Sequence, residues 1–407
     1  MRRASVVIGA NFGDEGKGLM TDWLAGSADG NAIVVRFNGG AQAGHTVVTP
    51  DGRRHVFGHF GSGSFAGAAT FLSRFFVHNP LTAESEYARL TSLAGRPQVY
   101  ADPQGLVTTP YDMLINQTVE RARGAGRHGS CGLGFGETIE RNLTPRYALT
   151  IADLADPTRV VRRLLDIRDG YVPQRLRQLG VMDWPEDLAA LLAGDDLVAR
   201  FADTLDVFRD MIQVADITIL ERFRHIIFEG AQGLLLDQDH GWFPYVSRSH
   251  TGLKNVVALA RQAGLEALDV TYMTRSYLTR HGAGPLPGEL PARPYAGIVD
   301  ATNIANPWQG WLRFAWLDAD LLARTIRHDM AMAEVPPCLR MSFGLGVTCL
   351  DQVGDSPGFL VNGTFTSGPP DSLAAALSRR TGLPLAMTGW GPSRSTVVSG
   401  DPQAWAA

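Results

Sequence analysis

Residues 4–37 place a tight constraint on the fold. ASVVIG (4–9) is a short, β-branched, apolar run that stops at glycine, and it reads as a buried strand. GANFGDEGKG follows as a glycine-rich turn. From Gly16 to Ala25 the spacing of Leu19, Met20, Trp23 and Leu24 then predicts a helix. AIVVRF (32–37) is a second buried strand and runs into another glycine turn, NGGAQAGHT (38–46). Strand, glycine turn, helix and strand is how a mainly parallel sheet begins, because parallel neighbours need a crossover connection. The expected class is α/β: a large, mainly parallel, twisted sheet flanked by helices.

The rest of the chain repeats the theme. HIIFEGAQG (225–233) is again strand and glycine turn, LDVTYMTRSYL (268–278) another strand, and LRMSFGLGVTCLD (339–351) a strand passing into a loop. Helix is expected over about 154–224 and over 317–333, and 376–398 reads as helix, strand, glycine turn and strand. Residues 281–311, dense in Gly, Pro and Asn, form a long loop. No repeat or linker interrupts this order, so one domain over 1–407 is the simplest expectation.

Composition narrows the partners. A net charge of −4 with no basic run does not describe a nucleic-acid binder. No stretch of about 18 apolar residues predicts a membrane span. Cys131, Cys338 and Cys349 form no CxxC, which suits a reducing cytoplasm better than a disulfide scaffold.

The chemistry is expected in the glycine turns. Free N–H groups at a helix start favour anions, so GDEGKG reads as a phosphate loop. It is not a Walker sequence: Gly18 follows Lys17, and Asn11 stands where the first glycine belongs. Its Asp14 and Glu15 are out of place on a purely phosphate-binding surface. A lone histidine is more often structural. His45, however, closes a glycine turn after a strand expected to neighbour the first, at the carboxyl edge where α/β sites form. RHGSCGLGFGET (127–138) resembles a backbone cradle. FEGAQGLLLDQDHGWFPYVSRSHTG (228–252) supplies Gln232, Ser247, His240 and two aspartates.

Together these motifs resemble the adenylosuccinate synthetase family. The resemblance rests on FGDEGKG, AGHT, FEGAQGLLLDQDHGWFPYV, TRHGAGPLPGEL, the WLD at 316–318 and GLGVTCLD, in the family's order over nearly the whole chain. It implies a C–N ligase that uses GTP and Mg²⁺ to join aspartate to C6 of inosine monophosphate. It assigns Asp14 to take the N1 proton and ligate Mg²⁺ with the Gly44 carbonyl, His45 to act as catalytic acid, and Lys17 to supply positive field. Gly13, Glu15, Gly16, Gly18, Thr46, Asp351, Gly389, Trp390 and Gly391 fall to the nucleoside triphosphate. Gln42, Ser130, Cys131, Gln232 and Ser247 fall to the purine monophosphate. Arg146 falls to the monophosphate of a neighbouring subunit, which implies a homodimer.

Two departures stand out. The family grips aspartate with an arginine-rich loop before WLD. Here Trp308, Gln309, Gly310, Trp311, Leu312 and Arg313 occupy that loop, with Arg313 the one arginine left, and neither tryptophan nor leucine replaces a bidentate guanidinium. Either arginines such as Arg248, Arg275 or Arg280 hold the donor, or the donor is a less charged or ring-containing amine. In TCLD, Cys349 replaces a lysine that packs over guanine. Asp351 still favours GTP, with ATP the alternative. A phage branch that uses deoxyguanylate lacks the catalytic aspartate; Asp14 is retained here.

Overall fold

The computed structural model describes residues 2–300, 302–303 and 308–400. Ten strands form the main sheet: β1 (Arg3–Gly9), β2 (Ala32–Arg36), β3 (Ala69–Leu72), β4 (Val99–Ala101), β5 (Gln213–Val214), β6 (His225–Gly233), β7 (Ala267–Arg275), β8 (Arg340–Thr348), β9 (Leu385–Gly389) and β10 (Val397–Ser399). Their order in space is β10–β9–β8–β7–β1–β6–β2–β3–β4–β5. Every pairing is parallel except β9 with β10. β2 is buried along its whole length and β1 over its last four residues, as expected of parallel strands covered on both faces.

The topology corrects one expectation. β2 does not neighbour β1, because β6 lies between them. The first crossover, through α1 (Lys17–Ser27), skips a slot that a strand almost two hundred residues later fills. Hydrophobic pattern sets which residues are strands, but parallel order is decided by long-range packing. The skip matters for function, because it brings the turns after β1, β2 and β6 side by side at the carboxyl edge.

The 154–224 region is largely helical as expected: Pro157–Asp166, Val172–Gln178, Glu186–Ala193 and Asp196–Met211. Its tail differs, since Gln213–Val214 forms the sheet's edge strand. With the helices Pro80–Ala94 and Pro110–Arg123, this region builds a second apolar cluster around Leu90, Ile115, Leu164, Phe201 and Phe208. The main cluster follows the sheet through Val6, Val35, Phe228, Val270 and Val347. The described residues of 281–311 are mostly loop, with a short strand at Glu289–Leu290. Asp318 caps the helix Ala319–Met332 by accepting from the N–H groups of Asp320 (2.9 Å) and Leu321 (3.0 Å).

Candidate functional site

The GDEGKG turn explains one of its own carboxylates. Glu15 folds back into the loop and is buried. Its Oε1 accepts from the N–H groups of Asn11 (3.1 Å) and Gly13 (2.6 Å), and its Oε2 meets Lys17 Nζ at 3.1 Å. Lys17, only 2% exposed, also donates to the Gly13 carbonyl at 2.5 Å. Glu15 and Lys17 thus form a clamp that sets the loop's shape, and their charges offset each other. Gly16 enters α1 at φ 81 with Thr348 directly beneath it, so a side chain there meets both strain and a clash.

The clamp depends on space at Gly9. A Cβ there would lie 2.3 Å from Glu15 Oε2, 2.9 Å from Lys17 Nζ and 2.8 Å from the Gln232 carbonyl. The carbonyl belongs to a core strand and cannot swing aside. Gly9→Ala is therefore expected to cost about 1–3 kcal/mol, as overpacking does, and to displace the loop. The urea midpoint and turnover of this variant check the clamp; parental values for both would refute it.

Asp14, unlike Glu15, faces outward. It lines a cavity of about 460 Å³ with Gln42, Gly44, His45, Ser130, Cys131, Gln232 and Ser247. Asp14 Oδ2 lies 3.6 Å from His281 Nε2, and His281 Nδ1 is buried with no partner among the described residues. Gln42, which lines the cavity, likewise has both amide atoms buried with no partner among the described residues. Ser130 Oγ donates to Asn116 Oδ1 at 2.8 Å, fixing the cradle loop on the helix Pro110–Arg123. Gln232 holds a left-handed φ of 64, and Cys349, at the end of β8, holds 62. Non-glycine residues in that region are costly and concentrate at functional turns.

His45 stands at the start of the short strand His45–Val48, and its Nδ1 contacts Glu229 Oε1 at 2.8 Å. Glu229, fully buried on β6, also accepts from the Ser62 N–H at 3.1 Å and lies 3.8 Å from the buried Arg36 guanidinium. Burial alone would raise the Glu229 carboxyl; His45, Arg36 and the Ser62 N–H hold it down at about 2. Burial pushes His45 down to about 4, against the pull of Glu229, with Arg36 and Lys17 adding to the push. A neutral His45 that donates its Nδ1 proton to Glu229 leaves Nε2 available to the cavity.

Most other sequence-predicted residues lie elsewhere. Arg146 is outside the cavity, exposed, and pairs with Asp166 at 3.1 Å. Asp351, Gly389, Trp390 and Gly391 gather at the ends of β8 and β9, where Trp390 Nε1 donates to Thr388 Oγ1 at 3.2 Å. Thr46 Oγ1 meets Thr302 Oγ1 at 2.7 Å. In the donor loop, Gln309 lines the cavity and donates to the Gly129 carbonyl at 3.1 Å. Trp308 lies under Arg121, 5.7 Å from the ring centroid. Asn306 and Pro307 of that segment fall outside the described residues. Glu229, His281 and Asn116 were missed by sequence reasoning. Only Glu229 carried a signal: a carboxylate inside an apolar strand needs a partner.

Asp14 and Gly44 both line the cavity, and a carboxylate with a backbone carbonyl is a hard-oxygen set that fits Mg²⁺ when phosphate oxygens and waters complete the shell. A second group, Asp237, Asp239 and His250, is engaged internally. Asp237 accepts from the Thr251 N–H at 2.7 Å, and Asp239 pairs with Lys254 at 3.2 Å.

A mainly parallel sheet whose glycine turns converge on an acid–base cavity defines a nucleotide-handling α/β enzyme. The comparisons make the class specific. The adenylosuccinate synthetase family model matches residues 6–331. Adenylosuccinate synthetases from Burkholderia mallei and Burkholderia thailandensis are 33% identical over 344 residues, covering 80% of this chain and 73% of theirs. The fully ligated adenylosuccinate synthetase from Plasmodium falciparum superposes with a TM-score of 0.73 at 18% identity, over 98% of this chain and 100% of that one. The cyanophage S-2L succinoaminodeoxyadenylate synthetase bound to dGMP and dATP superposes with 0.62 at 16% identity, over 100% and 97%. The chain belongs to the adenylosuccinate synthetase family, C–N bond-forming ligases of purine biosynthesis. No helix among the described residues is long and apolar enough to cross a membrane.

Proposed function

We propose that this chain uses GTP to activate O6 of a purine 5′-monophosphate, inosine monophosphate in the first instance, and then joins an amino group to C6. With L-aspartate as donor the products are adenylosuccinate, GDP and phosphate. The observation that carries the reading is the convergence of Asp14 and the His45–Glu229 pair on one cavity.

Asp14 takes the N1 proton of the 6-oxopurine, which makes O6 a nucleophile toward the γ-phosphoryl group. Phosphoryl transfer then needs positioning and charge stabilisation rather than covalent help. When bound at Asp14 and Gly44, Mg²⁺ supplies charge neutralisation between carboxylate and phosphates. His45 presents Nε2 to the transferring group. Incoming phosphate charge favours its protonation, and Glu229 holds the ring in place as it donates. Lys17 acts from behind the loop, with Glu15 as its counter-charge. Ser130, Cys131, Gln232, Ser247 and Gln42 surround the monophosphate, and Asp351 selects guanine. The exposed position of Arg146 supports its reaching a neighbouring subunit's site in a homodimer. We place the protein in the cytoplasm and treat 1–407 as one domain.

A second reading changes the donor, and a specific observation favours it. Arg313 is engaged by Glu289 and by the carbonyls of Gly282 (2.9 Å) and Gly284 (2.8 Å), so the last arginine of the loop holds protein instead of facing a ligand.

Phosphate release is the test. With GTP, Mg²⁺ and inosine monophosphate, release is expected to require an added amine, and the product mass should equal purine monophosphate plus amine minus water. No release with any amine or purine monophosphate, from folded protein that binds nucleotide, would overturn the ligase reading.

A further inference from the structure

The residues proposed above for the monophosphate are neutral. Ser130, Gln232 and Ser247 offer hydroxyls and an amide, and Glu120 and Glu137 add negative charge to the same cavity. A phosphate dianion drawn out of water into such a site needs a cation in contact. Among the described residues three arginines line the cavity, Arg123, Arg248 and Arg280, and no lysine does.

Two of the three are fixed. Arg280 is 2% exposed and donates to the carbonyls of Ala283 (3.2 Å), Pro285 (2.8 Å) and Tyr245 (3.1 Å). Arg123 meets Glu120 at 2.7 Å, and that carboxylate is buried, so moving the guanidinium away would strand a charge in the interior.

Arg248 is held differently. Its Nη1 donates to Glu140, its one hydrogen-bond partner among the described residues, and the two side chains are 39% and 30% exposed. A pair this open to solvent is weak. Glu140 also lies 3.7 Å from Arg175, which meets Glu137 at 2.8 Å, so Arg248 can leave without abandoning its partner.

The place suits a phosphate contact. Arg248 directly follows Ser247, and both line the cavity. Glu140 lies on the helix Phe135–Asn142, which continues from the loop carrying Ser130 and Cys131. Gly136 and Glu137, one helical turn before Glu140, are cavity lining. The guanidinium therefore rests about one turn of helix, roughly 5 Å, from the wall it would serve.

We propose that Arg248 is this chain's own counter-charge for the 5′-phosphate of the purine monophosphate. It is latched to Glu140 in the free enzyme and turns to the phosphate on binding, where its planar fork can meet two oxygens at once. This rests on the purine 5′-monophosphate reading above. A neighbouring subunit's Arg146 then adds to a contact that one chain already makes.

The full chain is titrated calorimetrically with inosine monophosphate or dGMP, and turnover is read by product mass with GTP, Mg²⁺ and L-aspartate or another amine. Arg248→Ala is expected to weaken monophosphate binding by about 10–100-fold, the scale of a hydrogen bond to a charged group, with the KM for GTP unchanged. Arg248→Lys keeps the charge without the fork and should recover part of the loss. Glu140→Gln separates a ligand role from a structural one. It releases Arg248, so monophosphate Kd should stay or fall. Equal weakening by Arg248→Ala and Glu140→Gln would mean that the pair only shapes the wall, and would overturn the proposal. So would a parental Kd in Arg248→Ala, even where the parent ligates. Weaker binding to Arg248→Ala with no ligation by the parent supports Arg248 and overturns the ligase reading. No monophosphate binding and no turnover by the parent overturns both.

Discussion

Asp14→Asn is expected to lower kcat by about 10²–10⁴-fold, the usual contribution of a positioned general base, with a much smaller change in the purine KM. The asparagine oxygen still accepts a hydrogen bond from N1–H, so ground-state recognition survives. It cannot take the proton, so O6 stays a carbonyl oxygen and a poor nucleophile. The variant also loses the one anionic oxygen donor proposed for Mg²⁺, so a higher metal requirement should accompany the slower rate. Asp14 is half-buried on the cavity wall and makes no hydrogen bond within the loop, whereas Glu15 makes the loop's internal bonds. The fold should therefore tolerate the change. The contrast sharpens the test. Asp14→Asn should keep the parental urea midpoint and lose turnover, and Glu15→Gln should lose both. An Asp14→Asn enzyme as fast as the parent would remove Asp14 from the chemistry.

The pair GDEGKG and EGAQG shows what a sequence discloses here and what it hides. Glycine turns after apolar strands are readable because few other residues tolerate those backbones, and the carboxyl edge of a parallel sheet is where they must point. The sequence does not show which carboxylate of Asp14–Glu15 turns inward, since that depends on the unoccupied volume at Gly9 and on the carbonyl of Gln232. Lys17 reads as an outward cation for the same reason. The insertion of β6 between β1 and β2 is invisible locally, yet it delivers Glu229 to His45. The loss of arginines at 310–312 is legible directly. That Arg313 is spent on Glu289 needs the fold.

Glu229→Gln tests the other half of the site and is expected to cost about 3–5 kcal/mol of stability as well as most of the turnover. The carboxylate is fully buried and serves three groups: the His45 Nδ1–H, the Ser62 N–H and Arg36. Glutamine keeps one acceptor oxygen. With that oxygen on the Ser62 N–H, its amide nitrogen faces His45 Nδ1, which can accept only if the ring proton moves to Nε2, so the variant either opposes two donors or forces the other tautomer. Arg36, whose Nε and Nη2 have no partner among the described residues, loses the carboxylate 3.8 Å from its guanidinium. Linkage gives the same sign: against the push of burial, His45, Arg36 and the Ser62 N–H hold the Glu229 carboxyl from 4.5 down to about 2 on folding. Because the folded value is the lower one, this stability is fully present above pH 4.5 and is lost as pH falls toward 2. The gap in urea midpoint between parent and Glu229→Gln should therefore be widest at neutral pH and narrow through that window. A gap that stays constant with pH would mean that the variant suffers from packing alone. No gap at all would mean that Glu229 does not hold His45 and Arg36 together. If the gap behaves as expected, Glu229 both holds the His45 ring and fastens β6 to β2 through Arg36, so activity and acid stability should fail together in any variant that removes it.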